Sequence, residues 1–167
     1  MKRLQNMLPD LLTTISPATG RLFIRYGLFM ALTNLVWESA HLPLYTLWAD
    51  ASAAYLVFVV THCTVGDLMI AFTTLGVALL LVGDLRDPSS RFPRVAGVTL
   101  VLGIAYTVYS EWLNVSIRQS WAYSDLMPVI PIIDTGLSPV AQWIFLPLFG
   151  LLWARKELPI ESPADET

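Results

Sequence analysis

Long apolar runs separated by short polar stretches dominate the pattern of this chain. The runs reach or exceed the roughly 20 residues that a helix needs to cross the hydrocarbon core of a membrane. The pattern predicts an all-α integral membrane protein, a four-helix bundle that forms a single polytopic domain over residues 1–167. We place the spanning helices at about 22–42, 63–83, 95–113 and 137–154.

Two further helices are expected outside these spans. The apolar stretch that starts at Ala53 is too long for one simple span, so we predict a short extra outer helix over 53–61. Residues 3–16 place their apolar side chains on one helical stripe beside Lys2 and Arg3, which favours a helix lying in the membrane interface. An unstructured terminus is the alternative, because Pro9 interrupts the stripe.

Composition supports a membrane protein. Only 14% of the residues are charged and 55% are hydrophobic, whereas soluble domains average about 25% charged residues. The net charge of −3 gives no indication of a nucleic-acid partner, and a single cysteine, Cys63, excludes an intramolecular disulfide.

The basic residues predict the orientation. Nine of the ten lysines and arginines precede the first span or lie in its first turn, join the second span to the third, or follow the fourth. Only Arg118 falls on the other side. Because lysine and arginine accumulate on the cytoplasmic side, we expect a bacterial-type inner-membrane protein with both termini in the cytoplasm.

Three acids, Glu38, Asp67 and Glu111, lie inside the apolar runs. Each is 16 residues from the predicted cytoplasmic end of its span, which is roughly 24 Å into a core about 30 Å thick. Ionisable groups are costly in hydrocarbon and usually mark function there. Since polar residues recur at helical spacing around each acid, we expect one pocket that opens toward the periplasm.

Acid–base chemistry on a lipid-soluble substrate is the leading hypothesis. Carboxyl groups crowded in an apolar pocket can hold a proton that one donates and another, or a histidine, takes back. The predicted catalytic residues are Glu38, His41, Asp67 and Glu111. The residues expected to bind the substrate are Asn114, Arg118, Trp121, Tyr123 and Gln142, with Trp121 and Tyr123 in a loop suited to a lid.

A stretch rich in Trp, Tyr and Pro follows the third span, with Glu111-Trp112, Trp121-x-Tyr123, Pro128, Pro131, Pro139 and Trp143. It resembles the short carotenoid-processing membrane families, the lycopene cyclase and carotenoid hydratase group. The chain also resembles small bacterial inner-membrane proteins. The first resemblance implies membrane-embedded acids and an isoprenoid-like substrate.

Two alternatives use the same pattern differently. The first alternative is a metal-binding membrane protein with a transition metal as cofactor, because Glu38-x-x-His41 places a carboxylate and an imidazole on one helical face. Its predicted ligands are Glu38, His41, His62, Cys63 and Asp67. The second alternative is an accessory subunit of a larger membrane complex or a homo-oligomer. The sequence leaves open whether the protein is an enzyme.

Overall fold

A computed structural model describes residues 15–158, and these residues are mostly helical. The predicted interfacial helix at 3–16 lies almost entirely outside them. The described residues form five α-helices, here α1 to α5: Pro17–His41, Leu47–Asp50, Ala53–Val82, Phe92–Glu111 and Leu137–Arg155. A 3-10 turn at Leu42–Leu44 follows α1, and a π-helical segment at Trp112–Ile117 continues α4.

Three of the helices in this part of the chain are long and apolar enough to cross a membrane. They are α3, α4 with its π-helical extension, and α5. Helix α1 packs against α3 and α5, and α4 packs against the same two helices. The core between the long helices is apolar; among its fully buried side chains are Leu22, Tyr26, Met30, Leu75, Leu79, Val95 and Leu151.

Helices α1, α4 and α5 overlap the predicted spans 22–42, 95–113 and 137–154, with differences at their ends. Span four, predicted at 137–154, ends within one residue of α5. Helix α1 begins earlier than predicted, because the Ser16 side chain accepts a hydrogen bond from Thr19 N at 3.2 Å and caps it. Helix α4 also begins earlier, at Phe92.

The prediction of a separate outer helix at 53–61 is wrong, because α3 runs without a break through these residues. No proline or glycine lies between Ala53 and Val65, so nothing in the sequence interrupts the backbone hydrogen bonds. At 30 residues, α3 is roughly 45 Å long and exceeds the hydrocarbon thickness. The short helix of this region is α2, which ends before the Ser52 cap of α3.

Residues 118–136, here called the cap segment, fold over the ends of the long helices. The segment contains a small antiparallel pairing of β1 (Val129–Ile130) with β2 (Thr135–Gly136). It also pairs with the connection after α1: Thr46 N donates to Ala122 O at 3.0 Å, and Ser124 N donates to Leu44 O at 2.9 Å. The cap segment is therefore held by backbone hydrogen bonds on two sides.

Candidate functional site

A cavity of about 410 Å³ lies between α1, α3, α4, α5 and the cap segment. It brings together all but one of the residues that the sequence singled out. Those lining it are Glu38, His41, His62, Cys63, Asp67, Glu111, Asn114, Arg118, Trp121 and Gln142. The exception, Tyr123, reaches the same site by a hydrogen bond to Glu111.

His41 connects Glu38 to the first turn of α5. Its Nε2 lies 3.1 Å from Glu38 Oε2, and its Nδ1 lies 3.1 Å from Ser138 Oγ. Ser138 Oγ also accepts a hydrogen bond from Trp37 Nε1 at 3.2 Å. An imidazole with its proton on Nε2 satisfies both contacts: its Nε2–H donates to Glu38, and its Nδ1 accepts from the Ser138 hydroxyl.

Gln142 lies at the centre of the polar side chains. Its amide nitrogen is 2.8 Å from Asn34 Oδ1, 2.9 Å from Glu38 Oε1 and 3.0 Å from Asp67 Oδ2. Three helices, α1, α3 and α5, are thereby joined through one side chain. Glu38 and Gln142 are both buried, so little water competes for these contacts.

Glu111 occupies the opposite wall of the cavity and is joined to the cap segment. The Tyr123 hydroxyl donates to Glu111 Oε2 and accepts a hydrogen bond from Gly136 N at 3.0 Å. Burial raises the pKa of Tyr123 above its ordinary value, and the Glu111 carboxylate raises it further. The phenol therefore remains a hydrogen-bond donor throughout the physiological range of pH.

The π-helical segment sets the positions of Asn114 and Arg118 after Glu111. Its wider turn is completed by a hydrogen bond from Arg118 N to Leu113 O at 2.8 Å. Among the described residues Arg25 forms a salt bridge with Glu157, whereas Arg118 lines the cavity without a salt bridge to Glu111. Segments of this kind often occur at functional sites.

The side chains proposed as metal ligands line the cavity without converging. Within residues 15–158, no three His, Cys, Asp or Glu side chains are placed to hold a metal ion. His62 is exposed and stacks on Phe58, with ring centroids 5.6 Å apart. The Glu38-x-x-His41 pair forms a hydrogen bond between its own members instead.

Several residues that line the site, or are hydrogen-bonded to its lining, were absent from the predicted site. Asn34 and Ser138 lie on polar stripes that the sequence displays, but their roles depend on partners in distant helices. Trp143 had no such signal, because tryptophans are common near membrane surfaces. It reaches the cavity where Gly103 leaves space: a side-chain carbon at Gly103 would overlap the Trp143 ring.

Tyr45 adds an aromatic side to the cavity. It lies edge-on to His41, with ring centroids 5.3 Å apart, and its centroid is 5.7 Å from that of Tyr123. Burial raises the pKa of Tyr45 well above its ordinary value. The site thus combines three acids and two histidines with a wall of neutral phenol and indole rings.

Comparison of the chain with protein-family models, with curated proteins and with solved structures finds no match.

Proposed function

We propose that the protein is a four-span bundle of the bacterial inner membrane and that α1 is the fourth span. Helix α1 has 25 residues, roughly 37 Å, which is enough to cross. Its polar residues Asn34 and Glu38 face the interior, while Ile24, Leu28 and Leu32 are 64%, 56% and 67% exposed. This arrangement favours a helix with lipid on its outer face and the polar site on its inner face.

The basic residues support an orientation with both termini in the cytoplasm. Arg21 and Arg25 lie at the start of α1, Arg86 and Arg91 precede α4, and Arg155 ends α5. These positions share one end of the helices, and the cavity lies toward the other. By the positive-inside rule, the cavity then opens on the periplasmic side.

We propose that this cavity performs acid–base chemistry on a lipid-soluble, isoprenoid-like substrate. The observation that carries the proposal is the hydrogen-bonded chain from Ser138 through His41, Glu38 and Gln142 to Asp67. It connects two carboxyl groups and an imidazole inside one cavity. It therefore places two possible general acids and a base within reach of one bound substrate.

The number of hydrogens around Gln142 favours a proton on the acids. The amide nitrogen carries two hydrogens, yet three oxygens lie within 3.0 Å of it. A further proton on Glu38 or Asp67 supplies the missing hydrogen for a third hydrogen bond and removes one of two adjacent negative charges. That proton is the one we assign to the general acid.

The proposed step needs no co-reactant. The carboxylic acid donates its proton to one carbon of a substrate double bond, whose electron pair forms the new C–H bond. The resulting cation lies near aromatic side chains, which stabilise positive charge. Glu111, or His41, then removes a proton from a neighbouring carbon, and the double bond re-forms in a new position. The net reaction is an isomerisation. When His41 is the base, its proton passes back to Glu38 through their hydrogen bond; when Glu111 is the base, the acids exchange protons with water at the open side of the cavity.

Lipid analysis tests this proposal. The protein, purified in mild detergent, is expected to carry an isoprenoid detectable by mass spectrometry, and membranes that contain it should accumulate an isomer of that lipid. Glu38→Gln, Asp67→Asn and Glu111→Gln should each abolish the isomer while the protein stays folded. Asp50→Asn, an exposed acid outside the cavity, is the control and should leave the isomer unchanged. If all three cavity variants match the control, the cavity has no acid–base role.

A further inference from the structure

Among the buried threonines of the long helices, Thr64 and Thr107 have hydroxyls without a hydrogen-bond partner in the described residues, and of these two Thr107 lines the cavity. Thr33, Thr74 and Thr99 each donate to the carbonyl four residues earlier, at 2.7 to 2.8 Å. The Thr107 hydroxyl has no hydrogen-bond partner among the described residues, although the residue is only 6% exposed. Thr107 lines the cavity one turn before Glu111.

Trp121 presents a second unpartnered polar group to the same cavity. Its indole nitrogen is buried and lies close to the Glu111 carboxyl group, but the two are not aligned for a full hydrogen bond. Buried donors without partners cost about 1–3 kcal/mol each, so native proteins rarely keep them without a ligand or water. Arg25, Tyr26 and Thr64 also carry such atoms outside the cavity, whereas Thr107 and Trp121 line it, where a ligand atom can complete their hydrogen bonds.

The two groups restrict the chemistry of that ligand. An indole N–H only donates, so the ligand must offer an acceptor, which an ammonium group cannot do. A carboxylate or phosphate would lie close to Glu111 and to the Glu38–Asp67 pair, and like charges at short range repel strongly in a low dielectric. A neutral carbonyl oxygen accepts from both groups without either conflict.

The cavity also reaches the outer surface of α3 and α4. Met69 and Tyr106 line it, although they are 66% and 48% exposed. Gly66, one turn before Ile70 on the same helix, also lines the cavity, and a side-chain carbon there would meet nothing within 4 Å. In a membrane-spanning protein this surface faces lipid, so an alkyl chain can leave the cavity at this point.

We infer that the cavity holds a neutral lipid-soluble molecule whose carbonyl oxygen accepts hydrogen bonds from Thr107 and Trp121, and whose chain passes between Met69 and Tyr106 into the bilayer. The inference rests on the proposed function, since it concerns the same cavity. It adds the polar head of the substrate and the direction of its tail. The head then lies against Glu111, with the chain crossing toward Asp67.

Photolabelling tests the head of the ligand. The probe is a long-chain alkyl ketone with a diazirine and an alkyne in its tail, added to the full-length protein in nanodiscs. We expect labelling to fall about three- to tenfold in Thr107→Val, the effect of one lost hydrogen bond, and similarly in Trp121→Phe. Thr107→Val should unfold no more easily than the wild type, because the hydroxyl it loses has no partner between residues 15 and 158.

Thr99→Val is the matched control, since it lies two turns earlier on α4 and its hydroxyl is bonded to Val95 O. It should label as the wild type does. Equal labelling of wild type and Thr107→Val would overturn the assignment of the head. Stronger labelling by an alkyl trimethylammonium probe, or equal labelling by the hydrocarbon without oxygen, would overturn it as well.

A second pair of variants tests the path of the tail. Gly66→Trp fills open space in the cavity wall and should abolish labelling, while Gly97→Trp, also at an open position but outside the cavity, should not. In the wild type, the labelled peptides should contain Met69 or Tyr106. Labels confined to the cap segment, or undiminished in Gly66→Trp, would contradict a lateral exit.

The outcomes separate this inference from the proposed chemistry. In one outcome, labelling falls in the Thr107 and Gly66 variants, but the acid variants still form the isomer. This result supports the ligand assignment and contradicts the catalytic role of the acids. In the other outcome, the acid variants lose the isomer, but labelling is unchanged in the Thr107 and Gly66 variants. This result supports the proposed chemistry and contradicts the ligand assignment.

Discussion

The hydroxyl of Tyr123 joins the carboxylate of Glu111 to the backbone N–H of Gly136. One phenol thus connects the end of α4, the cap segment and the residue that precedes α5. It also lies next to Tyr45, across the backbone bridge that holds the cap segment to the connection after α1. Closure of the cavity and the position of one of its acids therefore depend on the same side chain.

Tyr123→Phe should destabilise the protein by about 1–3 kcal/mol. The variant leaves Glu111 without its donor and Gly136 N without its acceptor, and an unsatisfied buried group costs about that much. Thermal unfolding in detergent, followed by tryptophan fluorescence, measures the change. Tyr55→Phe is the control, because the exposed Tyr55 side chain meets Phe58 through its ring, and it should unfold as the wild type does.

The stabilising effect of Tyr123 should disappear in alkaline solution. Burial raises the pKa of Tyr123 in the folded protein, so the fold favours the neutral phenol. Its contribution is complete below the unfolded-state pKa, about 10, and is lost as the pH rises through the higher folded-state value. The unfolding temperature of wild type minus that of Tyr123→Phe should be constant from pH 7 to about 9 and shrink above 10. A difference independent of pH would show that the hydroxyl proton is not what stabilises the cap.

Gln142→Met should cost more than a single lost hydrogen bond. The substitution keeps the approximate volume but removes the donor shared by Asn34, Glu38 and Asp67, which leaves two carboxyl groups facing each other. We expect a loss of about 2–4 kcal/mol. A double-mutant cycle with Glu38→Gln measures the coupling between the two residues. The double variant should recover part of the loss, and strictly additive losses would contradict a shared network.

The sequence pattern predicted which residues line the same cavity, but it did not predict which of them form hydrogen bonds with each other. Counting from the ends of the predicted spans placed Glu38, Asp67 and Glu111 at one depth, and all three line one cavity. Helical spacing revealed that Glu38 and His41 share a face, and they are hydrogen-bonded. The role of Gln142 depends on the rotation of α5 against two other helices, which no local pattern encodes.

Thr107 and Trp143 are two further residues whose roles cannot be predicted from the sequence pattern. Thr107 lies on a polar stripe, but its unpartnered hydroxyl is visible only once each neighbouring donor and acceptor is placed. Trp143 enters the cavity because Gly103 on a different helix has no side chain. Side-chain contacts between helices that are distant in the sequence cannot be predicted from spacing along either one.

A proline scan distinguishes the continuous helix α3 from two shorter ones. Thr61→Pro would remove a backbone donor and clash with the carbonyl of Val57, at a cost of about 3 kcal/mol. Ala53→Pro is the control, because the first position of a helix accepts proline. We expect Thr61→Pro to lower the unfolding temperature markedly and Ala53→Pro to leave it nearly unchanged. Equal tolerance at both positions would indicate a break near residue 61.

The prediction of a break in α3 near residue 61 was wrong for a physical reason. Length alone suggested a break, since 30 residues exceed the thickness of a bilayer core. The absence of helix-breaking residues before Gly66 was the better guide, because helical backbone hydrogen bonds persist wherever no residue interrupts them. Helix α3 can instead extend beyond the membrane surface.

Two glycine-to-alanine variants on α4 should have opposite effects. At Gly103 an added methyl group overlaps the ring of Trp143, which is only 2% exposed and has little room to move. Overpacking of this kind costs about 1–3 kcal/mol, and the displaced indole should also reduce ligand binding in the cavity. At Gly97 nothing lies within 4 Å of the new carbon, so alanine should stabilise the helix by up to about 1 kcal/mol. Thermal unfolding and ketone photolabelling of both variants measure these effects. Similar behaviour of the two would mean that Trp143 does not depend on Gly103 for its place in the cavity wall.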